Sequence, residues 1–433
     1  MKNRSIMRIF SLAMIVAMLL ALGACGGTPA ATPTPAAPAQ GGTEPSAAPA
    51  ENLEPIKVVA FFNMSGGGAD TGMRDKEGTD LAVKYINDNG GIASLGGRPI
   101  EVVYGDLLTD VSQAKAVTER VLADPSIVAA LGVGGSAYAA PQLPILEKAK
   151  IPYILFGTAD HLTQQGYQYL FRWTPFGGDK GTFTKTQVDF LLYLNELGYN
   201  STKVGIVYEN SDFGISLASG NKTLVEAAGL DLVYEESYPL GLTDASSLVA
   251  NLKNSGAEAV FINSFPAELK LIMNSMKSLN YSPAVIGGGG GFLFPEFATS
   301  MGDEVIGITS ASMLNWDTQT MQASAFKDVP QTYYETYGEF MCEHSLSAYT
   351  NIIILADALE RAGSTESEAL RDALRETNIL TPQSSGAVTF NEVGDNMNAI
   401  PVIVQWQKND EGKLLPVSIF PEHEAGGEFV PVG

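Results

Sequence analysis

The sequence predicts an α/β protein with two lobes, each a parallel sheet flanked by helices. From residue 56 onward, apolar runs of strand length alternate with stretches whose apolar residues recur at helical spacing. Such alternation is typical of parallel sheets covered by helices on both faces. The alternation is interrupted at residues 172–178, Arg-Trp-Thr-Pro-Phe-Gly-Gly, where we expect one lobe to end. The chain of 433 residues, 45% of them hydrophobic, is long enough to form two cores.

The first predicted unit illustrates the pattern. Residues 56–62, Ile-Lys-Val-Val-Ala-Phe-Phe, form a short apolar run of strand length. Apolar residues from Leu81 to Ile86 share one face of a helix predicted over residues 78–88, and Gly90 ends it as a C-cap glycine does. The further predicted strands are 100–104, 127–131, 153–156, 203–208, 230–235, 259–262, 284–286, 305–310, 387–390 and 402–405. The further predicted helices are 111–122, 138–148, 181–197, 214–228, 246–254, 267–279, 324–340, 345–362 and 366–376.

The amino-terminal segment predicts export and lipid attachment. A basic start precedes an apolar run over residues 9–22, which is shorter than the ~20 residues that cross the hydrocarbon core. The run closes on Leu-Gly-Ala-Cys, which resembles a bacterial lipoprotein signal with Cys25 as the lipidated residue. We therefore expect a signal peptide over residues 1–24 and an extracytoplasmic protein anchored to the cell membrane by lipid. An uncleaved anchor and a free Cys25 are the alternatives.

Composition narrows the range of partners and constrains the fold. Residues 25–55 are rich in Gly, Ala, Thr, Pro and Ser, which predicts a disordered spacer after the lipid anchor. The chain has 48 acidic and 26 basic residues, a net charge of −22, which excludes a nucleic-acid-binding role. With Cys25 lipidated, Cys342 is the one remaining thiol, so no intramolecular disulfide can support the fold.

Loops after the predicted strands are the expected ligand site. In doubly wound sheets, ligands bind at the carboxyl ends of strands, near helix amino-termini that present free N–H groups. Here those loops read 63–68, 132–138 and 156–160, and they are small, polar and rich in glycine.

The order of these segments resembles the leucine/isoleucine/valine-binding family of extracytoplasmic solute-binding proteins, which serve ABC importers and have the two-lobed type I periplasmic-binding fold. The resemblance covers residues 56–407. Each matching segment is weak alone, but eight in the right order with the right gaps are specific. The segments are 56–66, 78–91, 98–106, 134–136, 151–154, 162–167, 171–172 and 208–214.

The resemblance implies a binding role for one set of residues. In the family, a serine and a threonine in these loops hold the ligand's carboxylate through hydroxyl and backbone N–H groups. The matching residues are Ser136 and Thr158, with the backbone at Gly135 and Phe156 beside them. A plain N-cap role for Ser136 and a loop-turn role for Thr158 are the alternatives.

The family's ammonium-binding acid is absent from its usual place. Amino-acid-binding members carry it after the strand that matches residues 285–287, whereas this chain runs on in glycine with no carboxylate until Glu296. Phe213 and Phe265 stand where the family often has aromatic hydroxyls. The sequence therefore favours an aromatic or aliphatic carboxylate, or an amide, over a free α-amino acid, because an unpaired buried ammonium costs several kcal/mol. Core packing is the alternative role for Phe213 and Phe265.

Two further residues are weaker candidates for the cleft. Phe292 is a candidate for the apolar wall. His344, with Glu343 before it and Ser345 after it, opens a predicted helix, where it could either face the cleft or satisfy the helix start.

Catalytic motifs are missing. The three histidines lack metal-ligand spacing with any cysteine, and neither Gly-x-Ser-x-Gly nor His-Glu-x-x-His occurs. The glycine-rich loops contain no Gly-Lys-Ser/Thr, and no dinucleotide fingerprint is complete. We expect no enzyme activity, catalytic residue, metal or cofactor.

The resulting prediction is a lipid-anchored binding protein of an ABC importer that captures a small organic solute between two lobes: a branched-chain amino acid-like molecule, a carboxylate or an amide. Lobe 1 is predicted over residues 56–173 plus 312–382, and lobe 2 over residues 174–311 plus 383–433. We expect a monomer that delivers its solute to ABC permease subunits. A ligand-sensing protein of a signalling system with the same fold is the main alternative, and a secreted hydrolase that uses Ser136 and Asp160 is another.

Overall fold

The structure is a computed structural model that describes residues 53–132, 135–382 and 386–431. The predicted signal peptide, the predicted lipidation site Cys25 and the predicted linker up to residue 52 lie outside the described residues. Within those three ranges, no helix combines the length and the apolar character needed to cross a membrane.

The first sheet is parallel throughout, in the strand order β2-β1-β3-β4-β5. Its strands are β1 Ile56–Phe62, β2 Ile100–Asp106, β3 Ile127–Gly132, β4 Tyr153–Leu155 and β5 Leu170–Arg172.

The second sheet has the order β14-β13-β10-β9-β8-β6-β7. Strands β6 to β10 are parallel, whereas β13 and β14 are antiparallel. A short antiparallel pair, β11 and β12, lies between β10 and β13 in sequence. These strands are β6 Lys203–Glu209, β7 Asp231–Tyr238, β8 Ala259–Asn263, β9 Ala284–Gly287, β10 Thr309–Ser312, β11 Asn378–Ile379, β12 Val388–Thr389, β13 Val402–Lys408 and β14 Leu414–Phe420.

Helices cover both sheets. They are α1 Ala69–Asp88, α2 Ala114–Val121, α3 Ser136–Ala139, α4 Leu143–Ala149, α5 Thr182–Glu196, α6 Asp212–Ala227, α7 Ser246–Asn254, α8 Pro266–Ser278, α9 Pro295–Met301, α10 Gln319–Ala323, α11 Val329–Tyr337, α12 Glu343–Ala362 and α13 Ser367–Arg375.

Alternation along the central strands builds a core on each face of each sheet. In β1, Val58 and Phe62 share a core with α1 and α12, whereas Val59 and Phe61 share another with α2 and α4. In the second sheet, β6 and β8 divide their side chains in the same way between α5 and α6 on one face and α7 and α8 on the other. Each fully buried aliphatic or aromatic side chain contributes about 1.5–3 kcal/mol. The two sheets with helices packed on both faces confirm the predicted α/β class, with parallel sheets flanked by helices.

Several predicted elements differ in detail. The helix predicted over residues 138–148 is two short helices, α3 and α4, and the helix predicted over 324–340 is α11 preceded by α10. The strand predicted over 305–310 begins at Thr309, because the residues before it form a 3-10 turn. Strand β5 is too short for a periodic signal. Strand β14 contains Pro416, which an edge strand tolerates but which argues against a strand in a sequence pattern.

The close crossing of α1 and α12 positions two elements of the site. A Cβ atom at Gly78 of α1 would stand 1.9 Å from the carbonyl oxygen of Ser345, so only glycine allows the helices to approach this closely. This contact brings Asp75 of α1 beside His344 at the start of α12.

Candidate functional site

A cavity lies where the carboxyl ends of strands from both sheets meet. It receives residues from the loops after β4, β6, β8, β9 and β10, and from the starts of α5 and α12. Its free volume of about 20 Å³ has room for about one water molecule, so a solute enters only when the walls separate. Its walls are formed by Phe156, Thr158, Phe183, Phe213, Phe265, Gly288, Gly289, Gly290, Met313, Glu343 and His344.

The first sheet contributes a hydroxyl group to this cavity. Thr158 is 6% exposed, and its Oγ1 has no hydrogen-bond partner among the described residues. The fully buried Ser136 lies behind it: its Oγ accepts a 3.1 Å hydrogen bond from the N–H of Ala159. A buried hydroxyl without a hydrogen-bond partner costs about 1–3 kcal/mol. A ligand atom that forms a hydrogen bond with Thr158 would remove this cost.

A buried ion pair holds the loop that carries Thr158. Arg172, which is 1% exposed, donates from Nε to Asp395 at 2.7 Å. The same guanidinium donates to the carbonyl oxygen of Ala159 at 2.6 Å and to Oγ1 of Thr163 at 2.9 Å. These bonds tie both ends of residues 159–163 to the end of β5, which fixes the position of the neighbouring Thr158.

The start of α12 contributes two ionisable groups. Nδ1 of His344 lies 2.9 Å from Oδ1 of Asp75, and both side chains are buried. Oε2 of Glu343 accepts hydrogen bonds from the hydroxyl of Ser312 at 2.9 Å and from the N–H of Met313 at 2.6 Å. Glu343 is thereby attached to the second sheet, while His344 is attached to α1.

The surroundings decide the charges of these groups. Burial acts against a charged His344 ring, but the Asp75 carboxylate, together with Glu343, outweighs it and raises the pKa of His344. Burial also raises the pKa of Glu343, against the opposing effects of His344 and of the donors from Met313 and Ser312. Burial raises the pKa of Asp75 as well, although the His344 ring opposes this effect, so the pair holds a proton in the 2.9 Å hydrogen bond between the two side chains.

The second sheet contributes aromatic walls and bare backbone. The rings of Phe213 and Phe265 lie 5.3 Å apart with a tilt of 37°, and the buried Phe183 lines the cavity with them. Residues 288–290 are all glycine, so backbone forms this part of the wall. An apolar solute body would meet rings here, and a polar atom would meet peptide groups.

A larger concavity of about 620 Å³ lies elsewhere, between α11, α9 and the turn of the β13–β14 hairpin. It includes Trp316, Tyr334 and Lys413. None of its lining residues comes from the loops after β1, β3, β4, β6 or β8. Because ligands of such folds bind at these strand ends, the smaller cavity is the candidate site.

The structure brings together four of the six residues singled out in the sequence. Phe156, Thr158, Phe213 and Phe265 line the cavity. Ser136 and Gly135 are not among its lining residues. Ser136 follows the N-cap residue Gly135 and supports the 157–159 loop through Ala159, so it is not itself an N-cap. Their role as ligand-binding residues stays a prediction.

Of the two weaker candidates, one faces the cavity. His344 lines it, whereas Phe292 is buried in the core of the second sheet, with its ring 5.6 Å from that of Phe297. Sequence reasoning missed Phe183, Met313 and the direct role of Glu343 in the wall. In the described ranges, no group of three or more His, Cys, Asp and Glu side chains could hold a metal ion.

Comparison with known proteins gives consistent matches. A family model described as periplasmic binding protein matches residues 55–411. The Leu/Ile/Val-binding protein homolog 8 of Brucella abortus is 30% identical over 383 residues, which cover 86% of this chain and 92% of that protein. The Leu/Ile/Val-binding protein homolog 7 of Brucella suis is 29% identical over 384 residues, covering 86% and 93%.

Solved structures share the architecture. The substrate-binding protein of a branched-chain amino acid transporter from Streptococcus pneumoniae, in complex with isoleucine, has a TM-score of 0.70 at 25% identity, covering 84% of this chain and 100% of that one. A solute-binding protein from Rhodopseudomonas palustris, in complex with 3,4-dihydroxybenzoic acid, has a TM-score of 0.71 at 20% identity, covering 84% and 96%. The latter likeness concerns the fold alone.

Proposed function

The chain belongs to the periplasmic binding protein family, and on that premise we propose that it is the solute-binding protein of an ABC importer. It captures a small organic solute in the cavity between its two sheets. The observation that carries this proposal is the unpartnered, buried hydroxyl of Thr158 in a cavity to which both sheets contribute. A ligand atom that accepts from or donates to this hydroxyl would satisfy it.

The solute is a branched-chain amino acid-like molecule, a carboxylate or an amide. Curated relatives bear Leu/Ile/Val-binding names, and the neighbour at 25% identity holds isoleucine. In this chain, Phe183, Phe213 and Phe265 would contact an apolar body. Thr158 and the backbone of residues 288–290 would contact a polar head.

Capture by hinge closure requires two lobes that separate to admit the solute. We propose lobe 1 over residues 56–173 plus 312–382, and lobe 2 over the remainder from residue 174. Hydrogen bonds join Asp395 to Arg172 and Asn396 to Trp173, at the end of the first sheet. These contacts favour placing the last passage of the chain from lobe 1 to lobe 2 near residue 400 instead of residue 383.

Attachment to the membrane would hold the protein near the permease to which it delivers the solute. The Leu-Gly-Ala-Cys segment supports lipidation at Cys25, which would hold the protein at the outer face of the membrane beside ABC permease subunits. We propose that the protein acts as a monomer. A dimer that forms only with bound solute, measured by light scattering, would instead indicate the sensing role.

A solute panel with two matched variants tests capture. A ligand at about 100 times its Kd adds about 2.7 kcal/mol to the free energy of unfolding, which thermal denaturation detects. The panel contains branched-chain amino acids, aromatic acids, amides and purine-like compounds. Thr158→Val removes the cavity hydroxyl at constant shape and should weaken binding about 10-fold.

Thr174→Val is the control. Thr174 is also fully buried with an unpartnered Oγ1 among the described residues, but it does not line the cavity, so its loss should leave affinity unchanged. Capture in this cavity is wrong if the two variants bind equally well, or if no panel member stabilises the wild-type protein.

A further inference from the structure

Glu343 reaches the part of the wall that the glycine run leaves open. A Cβ atom at Gly289 would lie 3.7 Å from Oε1 of Glu343, in ordinary van der Waals contact. The glycine loop after β9 has no acidic side chain of its own, but the Glu343 carboxylate at the start of α12 lies next to it. Oε2 of Glu343 is occupied by Ser312 and Met313, while Oε1 has no hydrogen-bond partner in the described part of the chain.

His344 lines the cavity and has one ring nitrogen held by a partner. Its Nδ1 is held by Asp75 at 2.9 Å, and Nε2 has no partner within the described ranges. The rings of Phe156 and Phe294 lie 5.7 Å and 4.9 Å from the imidazole and fix its plane. A histidine held in this way offers one N–H in one direction.

The balance of charge argues against a simple anion as the solute. With one proton between them, His344 and Asp75 carry no net charge, so Glu343 is the remaining ionisable group at the start of α12. Burial raises the pKa of Glu343, and an ammonium or N–H donor at Oε1 would stabilise its ionised form. A solute with only a carboxylate would place a second carboxyl group beside Glu343, and one of the two would have to hold a proton. A solute that carries a donor beside its acceptor would leave no charge unpaired.

We propose that Glu343 and His344 together form the head-group subsite: Nε2–H of His344 donates to a carboxylate or carbonyl oxygen, and Oε1 of Glu343 accepts from an ammonium or amide N–H. This rests on the proposed capture function and narrows its solute to zwitterionic or amide-headed molecules with an apolar body. Thr158 supplies the further hydrogen bond, since its buried hydroxyl lines the same cavity. The acid that the sequence lacks after β9 is thus supplied by a distant helix.

Matched solute pairs test this assignment by calorimetry on the full chain. Leucine is compared with 4-methylpentanoate, and phenylalanine with 3-phenylpropanoate, so that each pair differs only in the ammonium group. The wild-type protein should bind the amino member of a pair about 10- to 100-fold more tightly, as expected for one charge-assisted hydrogen bond. Glu343→Gln should reduce that ratio at least 10-fold.

Two further variants separate subsite from structure. His344→Gln should weaken both members of a pair by similar factors, because both carry the carboxylate. Glu226→Gln, on the exposed surface of α6, should change neither affinity. A ratio measured on one preparation is independent of the folded fraction, so partial misfolding of a variant does not imitate the result.

Failure of the subsite is distinct from failure of capture. An unchanged ratio in Glu343→Gln, or a wild-type preference for the deaminated member, overturns the subsite and leaves capture intact. If neither leucine, phenylalanine nor their primary amides bind the wild-type protein, the proposed solute class is overturned. Capture itself then depends on the wider panel.

Discussion

The two walls of the cavity are built by different physical means. The wall formed by the first sheet and α12 is polar and rests on buried, paired charges: Arg172 with Asp395, and His344 with Asp75. The wall formed by the second sheet is aromatic and glycine-rich, and it rests on close packing of rings and backbone. One wall is therefore specified by directional bonds and the other by shape, so the two should respond to mutation in different ways.

The polar wall should lose more stability on mutation than the aromatic wall, and Asp395→Asn should show the greatest loss. The variant leaves the buried Arg172 charge without its partner, which typically costs 3–5 kcal/mol. We expect a loss of about that size in the free energy of unfolding, measured by urea denaturation at pH 7. The loop that carries Thr158 should also loosen, because Arg172 fixes its far end.

An exposed pair provides the control for this variant. Asp88 pairs with Lys84 on the surface of α1, where both side chains are more than 60% exposed, so Asp88→Asn should cost less than about 0.5 kcal/mol. Equal losses for the two variants would contradict the idea that buried pairing supports the polar wall.

The second sheet also buries an ionisable side chain. Glu209 ends β6 and is fully buried; Oε1 accepts from Ser211 and Gly214, while Oε2 has no partner in the described part of the molecule. Burial raises the pKa of Glu209 to about 7, with further contributions from the nearby Glu268 and Asp212. Unlike Asp395 and Asp75, which pair with Arg172 and His344, Glu209 makes no salt bridge with a basic residue in the described ranges.

Its titration predicts a pH-dependent gain for Glu209→Gln. Between the ordinary pKa of 4.5 and about 7, the folded protein holds a proton that the unfolded chain has released, so this group makes stability fall as pH rises. The variant should match the wild type near pH 4 and exceed it by up to about 3 kcal/mol at pH 8. Urea denaturation of both proteins at each pH measures the difference, and a difference that does not grow with pH would refute the shift.

The sequence predicted the packing parts of the molecule better than the polar ones. Strands such as β1 and helices such as α7 follow from apolar periodicity, and the family resemblance and the expectation of a binding protein rather than an enzyme are confirmed. The predicted extracytoplasmic location agrees with the family, whereas lipidation at Cys25 stays a prediction. Thr158, Phe156, Phe213 and Phe265 line the cavity and were identified because they match positions of the family's ligand site, whereas Phe183 was missed.

The missed features share a physical cause. The first half of α1 contains few apolar residues, so periodicity placed the helix start at residue 78 and left Asp75 outside it. The helix predicted from residue 345 likewise excluded Glu343, which begins α12. Asp75 and His344 are 269 residues apart, and only the approach of α1 to α12 joins them. Polar groups that act through tertiary pairing leave no periodic signal in a single sequence.

The aromatic wall should be insensitive to the removal of charged groups but sensitive to added side-chain volume. Gly290→Ala tests this, with a smaller expected loss of stability than Asp395→Asn. Gly290 has φ +51°, and a Cβ atom there would stand 2.9 Å from the carbonyl oxygen of Ser264. The left-handed backbone and the close contact together should cost about 1–3 kcal/mol in urea denaturation. Gly67→Ala is the matched control, since a Cβ there meets nothing within 4 Å. If both substitutions prove neutral, backbone packing does not shape the second wall, and the contrast with the ion-paired wall is lost.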